Sequence, residues 1–166
     1  NGSSSDKKDD YKEFIDYFER MIKVLDNSID LLEAHLEDVV GSFAKNSLLD
    51  AEEDLIQAKM NGYSSAIEMY SQKASEALSK IPSDIAEKIQ NGAVDIDEFI
   101  GESNKDVVEA IQEYEKWADK VQDCKLQIVQ LKEAIRKLEL DKFNNVMQDF
   151  TDQYDLRQFA GIDLIS

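Results

Sequence analysis

The run YKEFIDYFERMIKVLDNSIDLLEAHLEDVVGSF, Tyr11 to Phe43, decides the fold class. Its apolar residues step by four and three without a miss: Tyr11, Ile15, Phe18, Ile22, Leu25, Ile29, Leu32, Leu36, Val39 and Phe43. Residues at that spacing share one face of an α-helix, and a seam held over so many turns is what a helix needs to pack lengthwise on a partner. Phe14 and Met21 flank the seam and widen it, which suits a bundle better than a strict two-stranded coiled coil. A helix over 8–43 is roughly 50 Å long at about 1.5 Å per residue.

Downstream, GSFAKNS interrupts the pattern at Gly41 to Ser47. Glycine weakens a helix by about 1 kcal/mol relative to alanine, and Asn46 or Ser47 is suited to cap a new start, with Asp50 placed to complete a capping box on Ser47. A second seam follows at Leu49, Ile56, Met60, Tyr63, Ile67, Tyr70, Ala74, Ala77 and Ile81, with Glu53 at the missing step. The two seams are out of phase by one residue, which a kink or hairpin turn absorbs and a straight helix does not. Pro82 ends the second helix, because proline disfavours helical geometry in the residue before it. Ser83 is suited to cap the short helix DIAEKIQ, which stops at Asn91-Gly92, a pair fitted to a left-handed cap. AVDIDEF reads as an extended or turn segment, and Ser103 with Asp106 forms another capping box.

The last helix carries Val107, Ile111, Tyr114, Ala118, Val121, Cys124, Ile128, Leu131, Ile135 and Leu138. Its phase then slips to Leu140, Phe143, Met147, Phe150 and Tyr154, a change that locally alters supercoiling. It is expected to run from about 104 to 154, roughly 70 Å, with FAGIDLIS fraying after it. The expected fold is therefore all-α: a long antiparallel helical hairpin or coiled coil, or a three-helix bundle. Its helices lie near 8–43, 47–81, 83–91 and 104–154, and a short-helix corner joins the second long helix to the third. The break at Gly41 to Ser47 leaves the first helix free either to fold back or to project; a projecting helix would expose unbroken heptads and pair with a second chain. Residues 9–155 are expected to form a single elongated domain. Residues 1–8, with the polar leader NGSSS, read as a fusion scar ahead of a fragment of something longer.

Composition narrows the function. One proline and six glycines among 166 residues, with 42% hydrophobic and 33% charged residues, favour long uninterrupted helices with a patterned core. A net charge of -17, from 36 acidic and 19 basic residues, opposes binding to phosphate backbones and anionic membranes, so nucleic acid is not expected as a partner. The longest apolar runs are far short of the roughly 20 residues that cross a bilayer. A single cysteine, Cys124, forms no internal disulfide, and Cys124 with His35 falls short of the roughly four ligands of a structural zinc site.

Asp95 and Asp97 match the first and third positions of a calcium loop, but Phe99, Ile100 and Asp106 stand where a ligand, a glycine and a glutamate are needed. The stretch NGAVDIDEF makes better sense as a corner, with Val94, Ile96, Phe99 and Ile100 tucked on the end of the bundle. His35 has no second histidine and no nucleophile to serve. Cys124 occupies a seam position, where Asp123 disfavours its thiolate. Glu33 with Glu37, or Glu109 with Glu113, could begin a di-metal centre, yet the Glu-x-x-His pairs of such centres are missing. Tyr63, Tyr70, Tyr114 and Trp117 fall on or beside the seams, so packing accounts for them first. No catalytic residue, cofactor or metal is expected.

From Ser64 to Val146 the chain resembles segments of tail tape measure proteins from phages and prophages of Gram-positive bacteria. The resemblance is carried by the corner Lys-Ile-Gln-Asn-Gly-x-x-Asp-Ile, Lys88 to Ile96, and by Ile-x-Glu-Tyr-x-Lys-Trp-x-Asp-Lys-x-x-Asp, Ile111 to Asp123. It implies a non-enzymatic structural role, inside the virion tail and in the host cytoplasm during assembly, with self-association or contact to other tail proteins through helical seams. A bacterial helical adaptor or secretion-associated module that binds a partner helix is the alternative.

Overall fold

The computed structural model describes residues 2–92 and 105–165, with side chains for 11–92 and 105–154. The chain is all-α. Among the described residues there are four helices and no strand: α1 (Gly2–Leu36), α2 (Ser42–Leu78), α3 (Ser83–Gln90) and α4 (Lys105–Ile165).

The boundary between α1 and α2 lies earlier than the periodicity suggests. The chain turns at Asp38, whose N–H donates to the His35 carbonyl, and at Gly41, whose φ of 98° is a conformation that side chains with a Cβ rarely adopt. The Gly41 carbonyl then accepts from Lys45 N–H and starts α2. Asn46 and Ser47 are therefore helix-interior residues instead of caps: the Ser47 hydroxyl donates back to the Phe43 carbonyl at 3.0 Å. Phe43 leaves the first seam altogether and stands largely exposed, because the break precedes it and resets the phase.

α2 tightens into a turn as Lys80 and Ile81 donate to Ala77 and Leu78. Pro82, at φ -52° and ψ 139°, precedes α3 and offers its carbonyl to Ala86 N–H, so Ser83 is the first helical residue instead of the cap. Asn91 and Gly92 close α3 by donating to Glu87 and Ile89, with Gly92 left-handed at φ 65°. Residues 93–104 lie outside the described residues, and with them Asp95, Asp97, Val94, Ile96, Phe99, Ile100 and Ser103. α1 begins at Gly2 and α4 continues to Ile165, since extending an existing helix is far easier than starting one.

The residues group into two compact units, Asn1–Phe18 with Asn61–Ile128, and Glu19–Met60 with Val129–Ser166. In the first, α2 and α4 run antiparallel: Tyr70 stacks on Trp117 at 5.8 Å, while Ile81 joins Ile111 in one cluster with Ala86, Ile89 and Ala110. α3 contributes Ala86 and Ile89, one helical turn apart, to that cluster. Ile111 is fully buried, worth about 2–3 kcal/mol relative to an exposed isoleucine. α1 lies against both partners, with Tyr11 edge-on to Trp117 at 5.1 Å and Phe18 edge-on to Tyr63 at 5.4 Å.

In the second unit, α1 folds back on α2 across the turn, tied by Lys59 to Asp26 at 2.6 Å. Leu49, Ile56, Leu131 and Leu138 are buried there. α4 again runs antiparallel to α2, since Lys142 reaches Asp50 and Glu53 while Asp149 accepts from the Ser42 hydroxyl.

Candidate functional site

The seam residues named from the sequence divide by depth. Phe18, Ile56, Tyr70, Ile111, Leu131 and Leu138 are buried. Ile15, Ile22, Leu25, Ile29, Leu32, Leu36, Met60, Tyr63, Ile67, Val107, Tyr114, Val121, Ile128 and Ile135 are partly buried. Three-helix packing explains this grading, because each stripe is shared between two neighbours and its edges meet solvent. In the first unit the aromatic residues are packed among themselves and held by cations. Lys73 stands over Tyr11 at 5.0 Å and Lys120 over Tyr70 at 5.6 Å, while Trp117 donates to Glu113 at 3.0 Å. Nearby, an open groove of about 470 Å³ is lined by Ala77, Lys80, Asp106, Glu109, Ala110 and Glu113.

His35 is exposed in the last turn of α1. Cys124 is buried, and its thiol is pushed up first by burial and then by Asp123, with Lys120 opposing. It therefore behaves as a small apolar residue. Among the described residues, no three His, Cys, Asp or Glu side chains come together in a way that could hold a metal ion, and no helix is long and apolar enough to cross a membrane.

Among the described residues, one acid is strongly perturbed, and it lies in the second unit. A groove of about 540 Å³ there is lined by Asp26, Ile29, Asp30, Glu33, Glu52, Ile56, Lys59, Leu131, Ala134, Lys137 and Leu138. Glu52 is buried, and its pKa is raised from 4.5 to about 7. Burial is the largest cause; a hydrogen bond to Glu33 and the negative charges of Glu33 and Asp141 add to it. Such a carboxyl keeps its proton near neutrality and donates it to Glu33. Sequence reading put Glu53 at the open seam step, but Glu52 is the residue that turns inward. The signal was available, since Leu49, Glu52 and Ile56 also step by three and four. Glu53 instead meets Lys142 at 2.6 Å.

Beyond Leu138, α4 reverses its amphipathicity. The side facing α2 carries polar groups: Lys142 pairs with Asp50 and Glu53, Asn145 donates to the Asn46 side chain at 2.9 Å, and Asn46 donates to the Lys142 carbonyl. Leu140, Phe143, Val146, Met147 and Phe150 point away from these contacts and are 43% to 63% exposed. The phase slip seen in the sequence is thus an outward rotation of the apolar stripe on an unbroken helix.

No family model matches the chain, and neither a curated protein nor a solved structure matches it.

Proposed function

We propose that this chain is a non-enzymatic structural segment of a phage tail tape measure protein, acting through helix packing. The observation that carries the reading is where its likeness to that family falls. Of the residues behind it, Ile89 and Ile111 are buried in one cluster, Tyr114 packs against that cluster, and Trp117 joins the aromatic contacts beside it. The described residues of the resemblance thus include ones packed where α2, α3 and α4 meet, which a generic heptad sequence does not need. The acidic surface, at a net charge of -17, argues against nucleic acid as a partner. On this reading the segment works in the tail interior, and in the host cytoplasm before assembly.

The experiment is to induce phage particles in the bacterium that encodes the chain and search the purified tails for its peptides by mass spectrometry. Tail lengths of an in-frame deletion are then measured by electron microscopy. The reading expects the chain in the particles and a changed tail length; absence from the particles refutes it. A helical adaptor or secretion-associated module that binds a partner helix is the second reading, favoured by the exposed stripe on α4.

A further inference from the structure

We infer that the exposed stripe on the C-terminal part of α4 is a homodimerisation surface, with a second copy of this chain as its occupant. The inference rests on the reading that helix packing is what the chain does, but not on the phage attribution.

Two observations mark the stripe as a surface made to meet another helix. Leu140, Phe143, Met147, Phe150 and Tyr154 step by three and four, the spacing of a seam made to meet another helix, with Val146 beside them. The polar side of the same helix is already engaged by α2, through Lys142, Asn145 and Asp149. No rotation of α4 buries the stripe without breaking those contacts.

Area and charge then select the occupant. Exposures of 43% to 63% leave roughly 100 Å² on each of these six side chains, or roughly 600 Å² per copy. Two copies bury roughly 1,200 Å², the lower bound of specific stable interfaces. In a chain of net charge -17, two copies repel over most of their surfaces. The positions flanking this stripe are almost free of that obstacle: Asn144, Val146, Thr151 and Gln153 are uncharged, and Glu139 is the one acid. A second copy presents the same neutral seam to itself, so a two-fold pairing places the apolar stripes together and the acids outward. Screening by salt should therefore tighten the dimer.

Sedimentation equilibrium of the chain at about 200 µM in physiological salt tests this, since affinities to the upper micromolar range register there. The expected mass is twice 18.9 kDa. Phe143→Asp with Phe150→Asp should weaken association at least about tenfold, with helical circular dichroism unchanged. Val24→Asp with Leu31→Asp, at exposed apolar residues of α1, should leave the dimer intact. Independently of those variants' folding, Met147→Cys in a Cys124→Ala background should form an interchain disulfide under mild oxidation, and Asp141→Cys should not. A monomeric parent chain, or a dimer that survives the Phe143 and Phe150 changes, or a Met147→Cys chain that does not cross-link, overturns the pairing. A dimer from a chain absent from phage particles keeps the pairing and removes the phage attribution.

Discussion

Replacing Glu52 by glutamine should stabilise this protein at alkaline pH and leave it unchanged in acid. The folded-state pKa of about 7 lies above the ordinary 4.5, so the folded chain holds this proton longer than the unfolded chain. Glu52 therefore disfavours folding progressively as pH rises from about 4.5 to about 7, and by a constant amount above that. A move from 4.5 to about 7 corresponds to about 3 kcal/mol, which screening by solvent in the open groove reduces to about 2 kcal/mol. Glutamine keeps the shape and the donor toward Glu33 but carries no charge. At pH 8 the variant should be more stable by about 2 kcal/mol, a rise of about 4–8 °C in Tm for a chain of this size. At pH 4 the two proteins should melt together. The assay is thermal and urea unfolding followed by circular dichroism between pH 4 and 8, plotted as the difference between variant and parent, so that other carboxylates cancel. Because burial is the largest cause, Glu33→Gln should recover only part of the effect. A difference that is flat with pH, or a variant less stable at pH 8, would refute the argument.

Three further outcomes follow from the packing. Ile111→Ala should cost about 2–5 kcal/mol in urea unfolding, because the fully buried side chain leaves a cavity among Ile81, Ala86 and Ile89. Gly41→Ala should cost about 1–2 kcal/mol by the same assay: open space surrounds the site, so the penalty comes from φ of 98° alone. Lys142→Met should cost about 1 kcal/mol at low salt and less in 1 M salt, since it removes partly exposed ion pairs to Asp50 and Glu53 at 2.8 and 2.6 Å. Those bonds hold the Lys142 ammonium above the ordinary lysine range, so its contribution is present below about 10.5 and fades as pH rises through the folded value.

Several features were legible because they depend on residues close in the chain. The helical stripes, the end of α2 ahead of Pro82 (at Leu78, three residues short of the expected Ile81) and the left-handed close of α3 at Gly92 follow from helical spacing, proline geometry and the freedom of glycine. The break between α1 and α2 was visible but misplaced. Cap chemistry at Asn46 and Ser47 looked stronger than a glycine, yet a positive φ at Gly41 is a sharper stop, and once the helix restarted there both polar residues became interior.

The identity of the inward-facing acid could not be settled locally. Glu52 and Glu53 both satisfy a three-four step, and the choice depends on how α2 is rotated between α1 and α4. The same holds for the stripe from Leu140 to Tyr154, whose spacing announces a seam without saying whether its partner is this chain or another.

By itself, then, the sequence determined that the chain is helical, where its apolar faces lie and where proline stops a helix, since these are properties of local geometry and composition. Only the tertiary structure decided that α1 folds back, that Glu52 is pressed against Glu33, and that α4 turns its last apolar face outward. Those outcomes depend on the relative rotation of packed helices. That rotation is set by side chains far apart in sequence competing for the same buried surface.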